Sequence, residues 1–308
     1  MGTTTIQCSY MGDMAGEELE SFTCGSIIGV FHHGWYIGSR SSVWLLHNSN
    51  YGKVPFGIGI DGFERKIPYR KALEGSRVFW SDGKLMLPEA ELALLLPTAE
   101  FHKAIMPVDM QTLRRMHAIA KPLLHEAGRG ELRHLLMNQE QLVQGEKASI
   151  KLSVEQTGMF LPYAEERLAA LFSALKDFQV EQAAKTIKKM IGLGAGLTPS
   201  MDDWIVGFLY VALRVETSSP VRELFDNLVK AVCASVTSRT NRISAVYLTA
   251  ASRSLYFEAL ENALRATCPR DMEMLLEIGS SSGSDMLTGM TFAVAWLESI
   301  RSTEKFHL

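Results

Sequence analysis

The chain has 308 residues, 47% of them apolar and 21% charged, which suits a packed globular protein of one large or two smaller domains. Its formal net charge of −3 argues against binding nucleic acid through a broadly basic surface, while leaving room for a small anionic ligand that needs only a few local cations. Cys8, Cys24, Cys233 and Cys268 are scattered with no Cys-x-x-Cys pair, so reduced thiols are expected rather than disulfides or a zinc site.

The chain does not open on a basic segment followed by an apolar core. Its most apolar run, Trp204 to Val215, is too short to cross a bilayer. A cytoplasmic protein with no membrane contact is the expectation.

The first third reads as short strands over 26–31, 34–37, 42–46, 56–60, 76–80 and 84–87, rich in β-formers and punctuated by Gly, Asn, Asp and Pro. Ser81-Asp82-Gly83 is a hairpin signal. Trp35, Trp44 and Trp80 read as core. The adjacent His32 and His33 would face opposite sides if they lay on a strand.

From about Pro107 the apolar spacing becomes helical. Leu113, Met116, Ala120 and Leu123 form a first face, with His117 and His125 as partly buried polar residues on the same helix. Asn138 to Ser153 reads as an exposed loop. Leu168, Leu171, Phe172 and Leu175 form a second face, and Ala183, Ala184, Ile187 and Ile191 a third. Asp202 to Val215 is apolar almost all round and reads as the central helix of a bundle. Further helices are expected near 220–236, 240–265, 270–278 and 284–300. The fold class is therefore α+β. A β-rich barrel or sandwich-like domain over 1–106 precedes a mainly helical domain over 107–308.

Two segments of the helical part share one pattern. Gly192, Gly194 and Gly196 lead into Thr198-Pro199-Ser200-Met201-Asp202-Asp203, with Gly207 four residues on. Gly279 to Gly283 leads into Ser284-Asp285, with Gly289 four residues on. Each is a small-residue loop, then Ser-x-x-Asp, then an apolar helix. Such loops let a ligand approach the backbone, and a helix start offers N–H groups to an anion.

The bland reading is helix capping, with Thr198 ahead of Pro199, or Ser200 paired with Asp203. The functional reading has the loop amides bind an anion while Asp202, Asp203 and Asp285 orient a substrate amide. In a metal-dependent version Asp203 and Asp285 hold a divalent ion such as Mg²⁺. Carboxylates repel an anion, so this reading also needs a cation. Thr237 to Arg242 supplies one, because hydroxyls beside Arg239 suit capture of phosphate or carboxylate. No strand precedes Gly194-Ala195-Gly196 and no phosphate-gripping lysine follows, so a dinucleotide site is not expected.

The run Gly192 to Gly207 resembles the signature of a bacterial family that includes a subunit of oxamate carbamoyltransferase, an enzyme of anaerobic allantoin breakdown. That signature is Gly-Leu-Gly-x-Gly-Leu-Thr-Pro-x-x-Asp-Asp-x-x-x-Gly, and here it is complete. The stretch Thr240 to Leu248, with Ser244, is similar to a second family stretch. Ser282 to Gly289, with Gly283 and Ser284, is similar to a third. Where the family pattern often has a histidine before that third stretch, Ser280 or Ser281 stands.

The resemblance implies one component of a multi-subunit carbamoyltransferase acting on oxalurate and phosphate to give oxamate and carbamoyl phosphate. It implies that other subunits are partners and that phosphate, oxamate or carbamoyl phosphate is the ligand, with self-association also open. The residues assigned to ligand binding are Gly194, Gly196, Leu197, Thr198, Ser200, Arg239, Thr240, Ser244, Ser282, Gly283 and Ser284. Asp202, Asp203 and Asp285 are assigned to the chemistry. A non-catalytic binding or scaffold subunit and a stand-alone amide hydrolase remain as alternatives.

Overall fold

A computed structural model describes residues 3–67, 73–97, 103, 105–147 and 160–304. The chain divides into two compact units. The first holds Met1–Ala104 and Leu255–Ala259, and the second holds Ile105–Ser254 and Leu260–Leu308.

The first unit is built on one nine-stranded sheet. Its strands are β1 (Thr4–Gln7), β2 (Tyr10–Met11), β3 (Cys24–Phe31), β4 (Gly34–Gly38), β5 (Val43–Asn48), β6 (Gly57–Ile60), β7 (Arg77–Ser81), β8 (Lys84–Leu87) and β9 (Leu92–Leu95). They lie in the order β1-β9-β8-β7-β3-β4-β5-β6-β2, curled into half a barrel.

The chain itself demands this curl. β1 and β2 occupy opposite ends of the sheet order, yet only Cys8 and Ser9 separate them, a reach of roughly 11 Å from Gln7 to Tyr10. Cys8 N–H bonds Leu95 O and Ser9 N–H bonds Gly59 O, so these two residues bridge the two edges. The expected barrel-like unit thus forms from a single sheet that pairs most of its backbone and leaves little open edge.

The inner face follows the period of two. Trp35 and Ile37, Trp44 and Leu46, Ile58 and Ile60, Leu85 and Leu87, and Leu92 and Leu94 all enter one core. Asp82 and Gly83 both have positive φ between the paired Ser81 and Lys84, a two-residue hairpin turn of the primed kind.

Three strands escaped the sequence reading: β1, the two-residue β2, and β9, whose uniformly apolar Leu92–Leu95 shows no alternation. Two side-chain expectations are corrected. Trp80 is 36% exposed rather than core. His32 and His33 lie in the turn between β3 and β4, so their rings meet at 4.5 Å instead of facing apart.

The second unit is helical. Met110–Ala127 buries Leu113, Met116, Ala120 and Leu124; Leu124, not Leu123, completes the face. His117 is half-buried against Gln139 Oε1 at 3.1 Å, whereas His125 is exposed. The loop expected from Asn138 to Ser153 is overturned at its start. Gln139–Val143 is a helix that buries Gln139, Leu142 and Val143, while 148–153 lie outside the described residues.

Phe160–Lys176 carries the second expected face; in Val180–Met190 the third face is Ala183, Ile187 and Met190, because the helix ends before the expected Ile191. The helix expected over 240–265 is two helices, Arg242–Ser252 and Glu258–Leu264, because Ser254 takes a left-handed φ of 53° between them. Ser219–Cys233 and Glu273–Leu276 fall within the other expected ranges.

At the centre lie αA (Ser200–Ala212) and αB (Ser282–Glu304). Met201 through Ala212 are all buried. A methyl group on Gly207 would fall 1.8 Å from Met286 O, and one on Gly289 would fall 2.0 Å from Trp204 O. The glycine in each helix therefore lets the partner helix touch its backbone. Trp204 and Phe208 of αA stack at 5.0 Å, and Phe292 of αB packs on Trp204 at 5.9 Å. No described helix is long and apolar enough to cross a membrane.

Candidate functional site

Each glycine of αA and αB lies four residues beyond its helix's aspartate, so the close crossing also brings together the loops that precede the helices. Thr198 Oγ1 and Ser282 Oγ share a hydrogen bond of 2.7 Å, directly joining the two small-residue loops. Neither expected cap forms. αA starts at Ser200 behind Pro199, with no side chain bonding its first amides, because Thr198 is engaged with Ser282 instead.

The first loop needs its glycines. Gly192, Gly194 and Gly196 have φ of 81°, 125° and 99°. A side chain on Gly192 would meet Arg239 O at 2.0 Å, and one on Gly194 would meet Ser200 N at 2.5 Å. Asp202 clasps the loop from below. It accepts Gly192 N–H at 2.7 Å and the Thr240 hydroxyl, with Ser244 close by. Asn241 Nδ2 donates to Leu197 O at 2.6 Å. The second loop is tied to a third turn, since Arg129 N–H donates to Ser284 Oγ at 2.8 Å. Gly283 lets this turn pack tightly, because a methyl there would fall 1.7 Å from Leu275 O.

Between the loops lies a pocket of about 290 Å³, lined by Gly130, Glu131, Phe160, Ala195, Gly196, Ser200, Ser280 and Ser281. This is near the lower end of the size range of small-molecule clefts. Asp203 and Asp285, in the first turns of αA and αB, are buried, 1% and 0% exposed. The Thr198 and Ser282 hydroxyls lie against the Asp203 carboxyl, and the Ser200 and Ser281 hydroxyls against that of Asp285. A methyl on Gly130 would lie 3.2 Å from Asp285 Oδ1, which puts that oxygen just behind the pocket wall.

Burial holds the Asp203 carboxyl well above the usual carboxylate range. The neighbouring Asp285 pushes it further, against the pull of the Thr198 and Ser282 hydroxyls. Burial likewise pushes Asp285 up to about 7, with the Ser200 and Ser281 hydroxyls opposing and Glu131 adding. Asp202 is raised by burial too, against the bonds it accepts. Burial thus raises the proton affinity of all three carboxyls, a recurrent property of functional sites.

Helix-start amides contribute less than the sequence suggested. Met201 N–H is spent on Leu193 O, and Asp202 and Asp203 N–H on Pro199 O. Gly283 N–H bonds Ile278 O, and Asp285 N–H bonds Ser281 O. The amides of Ala195 and Gly196, which line the pocket, bond no described residue.

Arg239 meets the first loop through its backbone; its side chain is exposed and does not line the pocket. Leu197 is 44% exposed. Ser244 is buried beside Asp202 rather than at the pocket. Among the described residues, no three His, Cys, Asp or Glu are grouped to hold a metal.

Residues 190–294 match the model of one protein family, oxamate carbamoyltransferase subunit AllH. The match supports the resemblance carried by the signature. It takes in both loops, αA, most of αB and every residue expected at the site. No solved structure matches the chain.

Sequence reasoning missed Gly130, Glu131 and Phe160 of the pocket wall. Gly128-Arg129-Gly130-Glu131 is a glycine pair ahead of an acid, a weak signal with no repeat of the Ser-x-x-Asp pattern.

Proposed function

We propose that this chain is a component of a multi-subunit carbamoyltransferase that converts oxalurate and phosphate to oxamate and carbamoyl phosphate. In this reading the pocket between the two loops holds the group under attack. The observation that carries it is the convergence of the two loops, joined through Thr198 and Ser282, beside the buried carboxyls of Asp203 and Asp285. The family match over 190–294 supplies the reaction class.

The chemistry asks for two things. A phosphate oxygen bonds to the carbamoyl carbon while negative charge builds on the carbamoyl oxygen, which fixed donors must meet. The unspent amides of Ala195 and Gly196 are donors of that kind. The carbon–nitrogen bond then breaks, and the departing oxamate nitrogen takes a proton. A buried carboxyl whose proton affinity is raised toward neutrality can deliver it; Asp285, raised to about 7, is the candidate, with Asp203 raised beside it. Asp202 acts as a positioning residue that holds the Gly192 loop against Thr240. The charge of phosphate is met at the rim by Arg239 and by partner subunits. The aspartates act in this scheme as carboxyl groups rather than as Mg²⁺ ligands.

Phosphate-dependent cleavage of oxalurate by the assembled complex tests the scheme. Asp203→Asn is expected to lower turnover by about 100-fold or more, the usual range for losing a proton-transfer group. Arg239→Ala is expected to raise the KM for phosphate. Unchanged kinetics in both variants would remove the assignment.

One observation favours a second reading, a subunit that binds a metabolite without catalysing: among the described residues no cation lines the pocket. Here Asp203→Asn would leave turnover intact while abolishing the thermal stabilisation given by oxamate or phosphate. At about 100 times its dissociation constant that stabilisation is roughly 2.7 kcal/mol. Turnover by the purified chain alone would instead indicate a stand-alone amide hydrolase.

A further inference from the structure

In the first unit, polar side chains from three separate turns meet at the tip of the β3–β4 hairpin. His33 of that tip has Nδ1 2.6 Å from Glu64 Oε1 and Nε2 3.1 Å from the Tyr51 hydroxyl. Asn48 Nδ2 donates to the other Glu64 oxygen at 2.6 Å. The backbone fixes each member. Asn48 N–H bonds His33 O at 3.0 Å, which seats the hairpin tip on the end of β5. The Asn48 side chain also accepts Asn50 N–H and so caps the single turn Ser49–Tyr51. Glu64 stands on the helical turn Phe63–Lys66.

These bonds assign the roles. Burial opposes ionisation of Glu64, but the bonds it accepts, with His33 foremost, outweigh that and hold its carboxyl below its ordinary range. A carboxylate there keeps the ring proton on Nδ1 and leaves a lone pair on Nε2. The Tyr51 O–H donates to that lone pair. His33 and Glu64 alone would be an ordinary surface pair. A hydroxyl on the second ring nitrogen completes the order hydroxyl, imidazole, carboxylate, which activates a nucleophile. The two rings lie 4.3 Å apart, and the His33 side chain is 46% exposed, so a reagent in solvent can reach them.

We propose that Tyr51 is a nucleophile that accepts activated acyl groups, with His33 as its general base and Glu64 as the residue that positions His33. The phenol oxygen of Tyr51 bonds to the acyl carbon while its proton passes to His33 Nε2. The bond from that carbon to the leaving oxygen breaks, and the electron pair departs on the oxygen. An O-acyl tyrosine remains, and His33 returns its proton to water. The site belongs to the first unit and is independent of the carbamoyltransferase reading.

The test treats the full chain with p-nitrophenyl acetate and locates each acetyl group by peptide mass spectrometry. Tyr163 is the internal control. It is 51% exposed and Tyr51 is less so, hence accessibility alone would label Tyr163 first. Tyr51 is expected to react about 100-fold faster than Tyr163, the lower end of what a general base contributes. Its rate should rise with pH as His33 loses its proton and then level off. In His33→Gln, Tyr51 should fall to the rate of Tyr163 and lose that plateau. Glu64→Gln should slow Tyr51 by about tenfold or more and leave the melting curve unaltered.

Tyr163 labelled as fast as Tyr51, acetyl found on His33 in place of Tyr51, or a His33→Gln chain that labels Tyr51 as before would each overturn the proposal. The first two comparisons are made in the wild type and depend on no variant.

Discussion

Replacing Asp285 with asparagine should make this protein more stable at pH 8, with the gain shrinking steadily as the pH falls toward 4. In the fold this carboxyl titrates at about 7 rather than 3.8, chiefly because it is buried. A group that binds its proton more tightly when folded favours folding while both states are protonated, and that benefit declines as pH rises from about 4 to about 7. At about 1.36 kcal/mol per pH unit, the span from 3.8 to about 7 corresponds to an upper bound of about 4 kcal/mol lost by pH 8.

Asparagine has nearly the same shape and cannot ionise. Its amide would take the carboxyl's place beside the Ser200 and Ser281 hydroxyls. Asp285→Asn should therefore recover up to that amount at pH 8. The corresponding rise in melting temperature is at most roughly 8–16 °C for a unit of this size. Urea or thermal unfolding of both chains at half-unit steps from pH 4.5 to 8.5 measures it. If the variant is less stable at pH 8, or if the two chains show the same pH slope, the carboxyl is ionised and well paired in the fold. Asp285 then holds no proton at neutral pH.

Other outcomes follow from the same geometry. Gly207→Ala should cost about 3 kcal/mol, the upper part of the range for overpacked cores, because the new methyl meets a backbone carbonyl at 1.8 Å; chemical denaturation reads it. Thr198→Val removes the bond joining the loops at 2.7 Å, so oxamate binding should weaken while the melting temperature moves by only a few degrees. Cys8 is buried, and burial pushes its thiol up to about 12, whereas Cys24, Cys233 and Cys268 are exposed. A thiol reagent at pH 8 should therefore label three cysteines in the native chain and the fourth only on unfolding. Burial drives His47 down to about 4, so its ring should show no NMR titration between pH 5.5 and 8.

The sequence alone determined the local grammar of this protein. Alternating residues such as Trp44 and Leu46, and the Asp82-Gly83 turn, mark strands because side-chain period and turn chemistry are local properties. The all-apolar run after Asp203 marks a central helix for the same reason. Uniform Leu92–Leu95 and two-residue β2 carried no such mark, and their pairing partners decided them.

The repeated small-residue loops could be read as a candidate site, but equally as two caps. Only the tertiary structure chose between these, because the Gly207 and Gly289 crossing sets the distance between Thr198 and Ser282. Likewise, no local pattern distinguishes Glu131 from an ordinary surface acid. Its buried, unbonded oxygen at the pocket wall is created by chain segments far from it in sequence. A carboxyl's proton affinity depends on what surrounds it in space, and that surrounding exists only once the chain has folded.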